Sequence, residues 1–214
     1  LYCSAVASDI DGGDPNINYI WNNLTTGASV GVGHELEITP SLDADPDFSV
    51  GDIIKCEVSA TDGDGGSSTA DSSIQIANTD PTIDSIEILP SEGVEYDTVL
   101  SCAASASDAD LETPTLSYQW TSGDVELGVI DTLQLVEGMV EPGDEVTCTV
   151  TATDSHGGTG VVNTMVSVEN TTPTWLDEAV IDELNVFTGT TLTCSADAYD
   201  PNDGALSVEY TWTG

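Results

Sequence analysis

The sequence predicts an all-β fold: a tandem series of β-sandwiches, each closed by its own disulfide. Three observations carry this reading. Apolar residues alternate in short runs between turn residues, one segment recurs three times with a fixed cysteine-to-tryptophan spacing, and the cysteines pair off once that repeat is recognised.

The alternation is clearest between residues 79 and 170, where period-2 runs recur with turn signals between them. It predicts strands over 82–89, 98–106, 116–121, 130–136, 145–153 and 160–168, with a weaker one near 124–128. Along "TCTVTAT" (147–153), Cys148, Val150 and Ala152 share the face that should turn inward. Nothing in the chain carries a helical period. Seven short antiparallel strands make a sandwich.

The repeat is internal. "LYCSAVASDIDGGDPNINYIW" (1–21), "LSCAASASDADLETPTLSYQW" (100–120) and "LTCSADAYDPNDGALSVEYTW" (192–212) are three versions of one segment, and in each the cysteine precedes the tryptophan by 18 residues. "GDIIKCEVSATDGDGG" (51–66) returns 92 residues later as "GDEVTCTVTATDSHGG" (143–158), and "ANTDPTI" (77–83) returns at the same offset as "ENTTPTW" (169–175). The expected organisation is a repeat at 1–78 that lacks its first strand, a complete repeat at 79–170, and the N-terminal part of a third at 171–214. The chain reads as a window onto a longer array.

Five cysteines then resolve as Cys3–Cys56 and Cys102–Cys148, with the partner of Cys194 expected beyond Gly214. Each bridge closes a loop worth roughly 4 kcal/mol of chain entropy. Disulfides place the protein outside the cytosol, extracellular or at a cell surface. Cysteine on the second strand, tryptophan on the third and cysteine on the sixth is the immunoglobulin-type core, so the expected fold is a tandem of seven-stranded Ig-like sandwiches.

Charge excludes several functions. The 214 residues hold 39 acidic side chains, one lysine (Lys55) and no arginine, for a net charge of −38. Binding to nucleic acid needs clustered Lys and Arg, and so does binding to an anionic membrane surface. No apolar run approaches the roughly 18 residues of a spanning helix. Such self-repulsion calls for salt, divalent cations or an extended shape.

The "YIW", "YQW" and "YTW" strands, each after an Asp/Gly/Pro loop, and "VTCTVTATDSHGGT" followed by "VSVENTTPT" resemble bacterial extracellular Ig-like modules of the polycystic-kidney-disease (PKD) type. The resemblance covers essentially the whole chain. It departs from the W-D-F-G-D-G pattern of that type, with "WNNLTTG" and "WTSGDV" after the tryptophans. It implies a spacer module of surface proteins, adhesins or secreted enzymes.

Sandwich topology brings the chain entry and the loops after the second and sixth strands to one end. In the middle repeat this gathers Asn78, Asp80, Asp108, Asp110, Glu112 and Asp154, with the loop 42–52 of the preceding repeat expected to face them. The corresponding residues are Asp9, Asp11, Asp14, Asp62 and Asp64 in the first repeat, and Asn170, Asp197, Asp200, Asn202 and Asp203 in the third. Calcium takes six to eight oxygens in loose geometry and suits such loops, whereas zinc would want His and Cys. A structural calcium at repeat junctions is therefore expected, although "DGDGGS" does not fit the EF-hand spacing.

Nothing marks a catalytic centre, and no enzyme is expected. "GASVG" (27–31) matches the nucleophile elbow G-x-S-x-G only in letters, since Ser29 falls in a sandwich loop. His34 and His156 each stand alone. "NLT" and "NTT" make Asn23 and Asn170 glycosylation acceptors. The expected function is a structural segment of a fibre, stalk or adhesin shaft, whose partners are further repeats of the same chain and, through cations, neighbouring arrays. The alternative is a carbohydrate-binding or spacer module beside a secreted enzyme, with Trp175 and Tyr199 stacking on sugar. A third idea has a neighbouring chain supplying the strand that the first repeat lacks.

Overall fold

The computed structural model describes residues 1–39, 47–182 and 185–213, so the first part of the loop 42–52 lies outside the described residues. All regular structure among them is β. The chain forms two compact units. The first is 1–82 with the loops 106–115 and 152–160, and the second is 83–105, 116–151 and 161–214.

In the first unit, β1 (Asn16–Asn23), β2 (Ala28–Val32), β3 (Ile53–Thr61) and β4 (Ser67–Gln75) form one antiparallel sheet in the order β2-β1-β3-β4. Trp21 lies opposite Cys56 on one side and Gly31 on the other. Facing this sheet, residues 1–3 meet residues 34–36 through a bridge between Tyr2 and Glu35 and a Cys3 N–H bond to the His34 carbonyl at 2.8 Å. Trp21, Leu36, Ile54, Cys56 and Val58 form the core, and a Cys3–Cys56 disulfide ties the two layers.

The second unit holds a sandwich with the expected strand count. β5 (Thr82–Leu89), β6 (Val99–Ser107) and β9 (Thr132–Gln134) form one sheet. β7 (Thr115–Ser122), β8 (Val125–Gly128), β10 (Glu145–Thr153) and β11 (Thr159–Ser167) form the other, in the order β11-β10-β7-β8. The predicted strand 130–136 is shorter than its apolar pattern, because the chain turns beyond it with Met139 N–H on the Val136 carbonyl. Trp120, Leu100, Val146, Cys148 and Val150 are fully buried, and Cys102–Cys148 is bridged.

Each core tryptophan has the same solution for its indole N–H. Trp21 Nε1 donates to the Gly33 carbonyl and Trp120 Nε1 to the Ile130 carbonyl, both at 2.8 Å, so neither ring is buried with an orphan donor. Each also lies opposite a glycine, Gly31 or Gly128. A Cβ on Gly128 would come within 3.3 Å of Leu133 Cδ1, so glycine there leaves room for the Leu133 side chain.

Residues 174–206 carry five short strands: β12 (Thr174–Trp175), β13 (Val180–Ile181), β14 (Cys194–Ser195), β15 (Ala198–Asp200) and β16 (Gly204–Leu206). They form the sheets β12-β15-β16 and β13-β14. Cys194 is a half-buried free thiol. The chain is thus an immunoglobulin-like all-β protein with two intradomain disulfides.

Candidate functional site

One loop geometry recurs. Asp62 Oδ1 accepts the N–H groups of Asp64 (2.9 Å) and Gly66 (2.7 Å), and Asp154 Oδ1 accepts those of His156 and Gly158, both at 2.8 Å. The same main-chain bond closes both loops, from the aspartate N–H to the Gly66 or Gly158 carbonyl at 3.1 Å. These are Asx turns, the conformation that short acidic side chains favour. In the same way, Asp9, Asp108 and Asp200 each accept the N–H two residues on, from Asp11 (3.0 Å), Asp110 (2.7 Å) and Asn202 (2.8 Å). The first carboxylate of every such loop is therefore held by backbone donors.

In the first unit, the segment 78–82 lies against the loops 106–115 and 152–160. Asn78 Nδ2 donates to Asp154 Oδ2 at 2.8 Å, and Thr79 N–H donates to Asp110 Oδ2 at 2.7 Å. Gly158 makes the room: a Cβ there would fall 2.6 Å from Asp80 Oδ1 and 2.7 Å from Asn78 Nδ2. Glu112 accepts a hydrogen bond from Ser155 Oγ and pairs with His156 Nδ1 at 2.9 Å. Ligand atoms of Glu112, Asp154 and His156 lie within 4.8 Å of one another. Asp108 and Asp154 are about nine-tenths buried.

The hydroxyl of Ser155 holds the Glu112 carboxyl below its usual range, with help from His156 and against partial burial. Asp154 is held down chiefly by the Asn78 amide, then by the N–H groups of Gly158, His156 and Gly157. Both groups are acceptors that stay ionised.

The arrangement gathers Asn78, Asp80, Asp108, Asp110 and Asp154. In the first repeat only Asp9 and Asp62 share a surface, a groove that also includes Ile17 and Val58. Asp11, Asp14 and Asp64 are exposed. At the other seam, Thr171 N–H donates to Asn202 Oδ1 at 3.0 Å, while buried Asp200 also accepts the Asp203 N–H at 3.3 Å. Asn170 is exposed and bonds the Thr171 carbonyl, and Asp197 contributes its carbonyl to Leu176 N–H.

Several expectations change. His156 does not stand alone, because the loop turn carries its ring onto Glu112. Ser29 lies on β2 rather than in a loop, with its hydroxyl on the Trp21 carbonyl. Asn23 is fully buried: Nδ2 donates to Asp52 Oδ2 at 2.7 Å and to the Asp47 carbonyl at 3.0 Å, which leaves no room for a glycan in the folded chain. Trp175 pairs with Ala198 and Thr174 with Tyr199, so strand alternation turns Trp175 and Tyr199 to opposite faces of their sheet. The Tyr199 hydroxyl is bonded to Glu137. Glu112, one of the loop acids marked in the sequence, is the one that the fold ties to Ser155 and His156, two partners that its letter alone does not announce.

No protein-family profile matches the chain, and no curated protein does. Among solved structures, an amphioxus IgVJ-C2 molecule is similar over 79% of this chain and 94% of its own, at 19% identity and a TM-score of 0.38.

Proposed function

We propose that the chain is a structural repeat segment of an extracellular fibre, stalk or adhesin shaft, stiffened by calcium where one repeat meets the next. The repeats are those at 1–78, 79–170 and 171–214, and the segment's partners are further repeats of the same chain, with cations joining neighbouring arrays. Bridged immunoglobulin-like sandwiches are the kind of domain found in secreted and surface proteins. The observation that carries the proposal is a fastening made twice: Thr79 N–H on Asp110 and, 92 residues later, Thr171 N–H on Asn202. A chain whose entering segment is pinned to the same loop at each repeat suits a load-bearing array better than a mobile linker does.

Small-angle scattering and thermal unfolding of the 214-residue chain, in calcium and in chelator, test this. A stiffer, longer particle that melts higher in calcium is expected. Identical scattering and melting in both would remove the calcium from the proposal.

A further inference from the structure

Among the described residues, the buried side-chain polar atoms without a hydrogen-bond partner are three: Asn78 Oδ1, Asp108 Oδ2 and Glu112 Oε2. All are oxygens, and all belong to the segment 78–82 and the loop 106–115. In each case the other terminal atom of the side chain is fixed. Asn78 Nδ2 is on Asp154, Asp108 Oδ1 is on Asp110 N–H, and Glu112 Oε1 is on Ser155 and His156. Each side chain is locked through one atom and offers the next.

A buried, unpaired carboxylate oxygen is costly, and two here belong to anions. No lysine or arginine answers them, because Lys55, the sole residue of either type, is paired with Glu57 at 2.7 Å. Water can donate to these oxygens but leaves the charge standing. A divalent cation answers both needs.

We infer that Asn78 Oδ1, Asp108 Oδ2 and Glu112 Oε2 ligate one calcium ion per chain. The inference rests on the calcium reading above and deepens it by naming the ligands and the single repeat that has them. The free atoms are a neutral amide oxygen and two carboxylate oxygens, a hard donor set with the loose geometry calcium accepts. The imidazole of His156 has its Nδ1 turned onto Glu112. The other two copies lack the set. Aligned on the Asx turns at Asp9, Asp108 and Asp200, the position of Glu112 is Gly13 in the first copy and Gly204 in the third. Asn202, in place of Asp110, closes the second seam with a bond to backbone alone.

Calorimetric titration of the whole chain with calcium chloride in ~0.15 M salt, which screens the diffuse surface charge, tests the inference. One site per chain is expected. Glu112→Gln and Asp108→Asn should each weaken it by about tenfold or more, because affinity follows ligand charge. Asp64→Asn and Asp203→Asn should leave it unchanged. Melting gives a second readout: calcium should raise the melting temperature of the wild type above its value in chelator, and Glu112→Gln should lack that rise. Tight binding that Glu112→Gln leaves intact, or two equivalent sites, would overturn the assignment while sparing the calcium reading. Displacement of calcium by equimolar zinc would overturn the choice of cation. No binding by the wild type would overturn both.

Discussion

Gly160→Ala adds one methyl group where the segment 78–82 passes the start of β11. Its Cβ would overlap the Pro81 carbonyl oxygen, lie 3.1 Å from the carbonyl carbon and sit 3.6 Å from Thr82 Cα. The obstacle is backbone, so no rotamer change relieves it and residues 81–82 must move. Overpacking of this kind costs about 1–3 kcal/mol. The movement also draws Thr79 N–H from Asp110 and Asn78 from Asp154, hydrogen bonds to charged groups worth roughly 1.5–3 kcal/mol each if lost outright. Alanine returns about 0.4–1 kcal/mol by restricting the unfolded chain. Because the segment moves as one, these terms overlap, and the net expectation is a loss of about 2–3 kcal/mol. Gly63→Ala is the control: nothing lies within 4 Å of its Cβ position, so it should be neutral or slightly stabilising. Urea unfolding in chelator, followed by tryptophan fluorescence, reads both. A Gly160→Ala midpoint equal to that of Gly63→Ala would mean that the segment is not seated as described.

Replacing Cys102 and Cys148 together by alanine removes a loop closed over 46 residues and should cost about 4 kcal/mol in the same assay; a loss under about 1 kcal/mol would contradict the role given to the bridge. Asn23→Ala strips Asp52 and the Asp47 carbonyl of a buried donor and should cost about 3 kcal/mol, while peptide mapping of folded, glycosylated material should find glycan on Asn170 and none on Asn23. Asp154, with its folded pKa depressed, contributes stability that is complete above the ordinary carboxylate value near ~3.9 and is lost as pH falls through the lower folded value. In chelator, wild-type melting should therefore fall more steeply over that window than Asp154→Asn melting, and parallel curves would contradict the assignment.

The strands of residues 82–168 were legible because alternation and burial are the same fact seen twice. Cys148, Val150 and Ala152 are three successive inward positions of β10 and all are fully buried. The pairing of Cys3 with Cys56 and Cys102 with Cys148 follows from one repeat seen beside another. The loop cluster was legible only as a neighbourhood. Acidic letters at turns mark every copy alike, and composition cannot tell Asp62, satisfied by backbone amides, from Asp108, which keeps one buried oxygen free. What separates the copies is Glu112 against Gly13 and Gly204, a difference with meaning only once Ser155 and His156 are seen to hold that side chain. Asn23 misled for a related reason. A glycosylation acceptor pattern records three letters and not the buried partner, Asp52, 29 residues away.

The most direct test of the ion-clamped seam is an anomalous difference map from crystals of the chain grown in calcium. The account predicts a single strong peak at ~2.3–2.6 Å from Asn78 Oδ1, Asp108 Oδ2 and Glu112 Oε2. A map with no peak there, and density at that point that refines as an ordinary water, would contradict it.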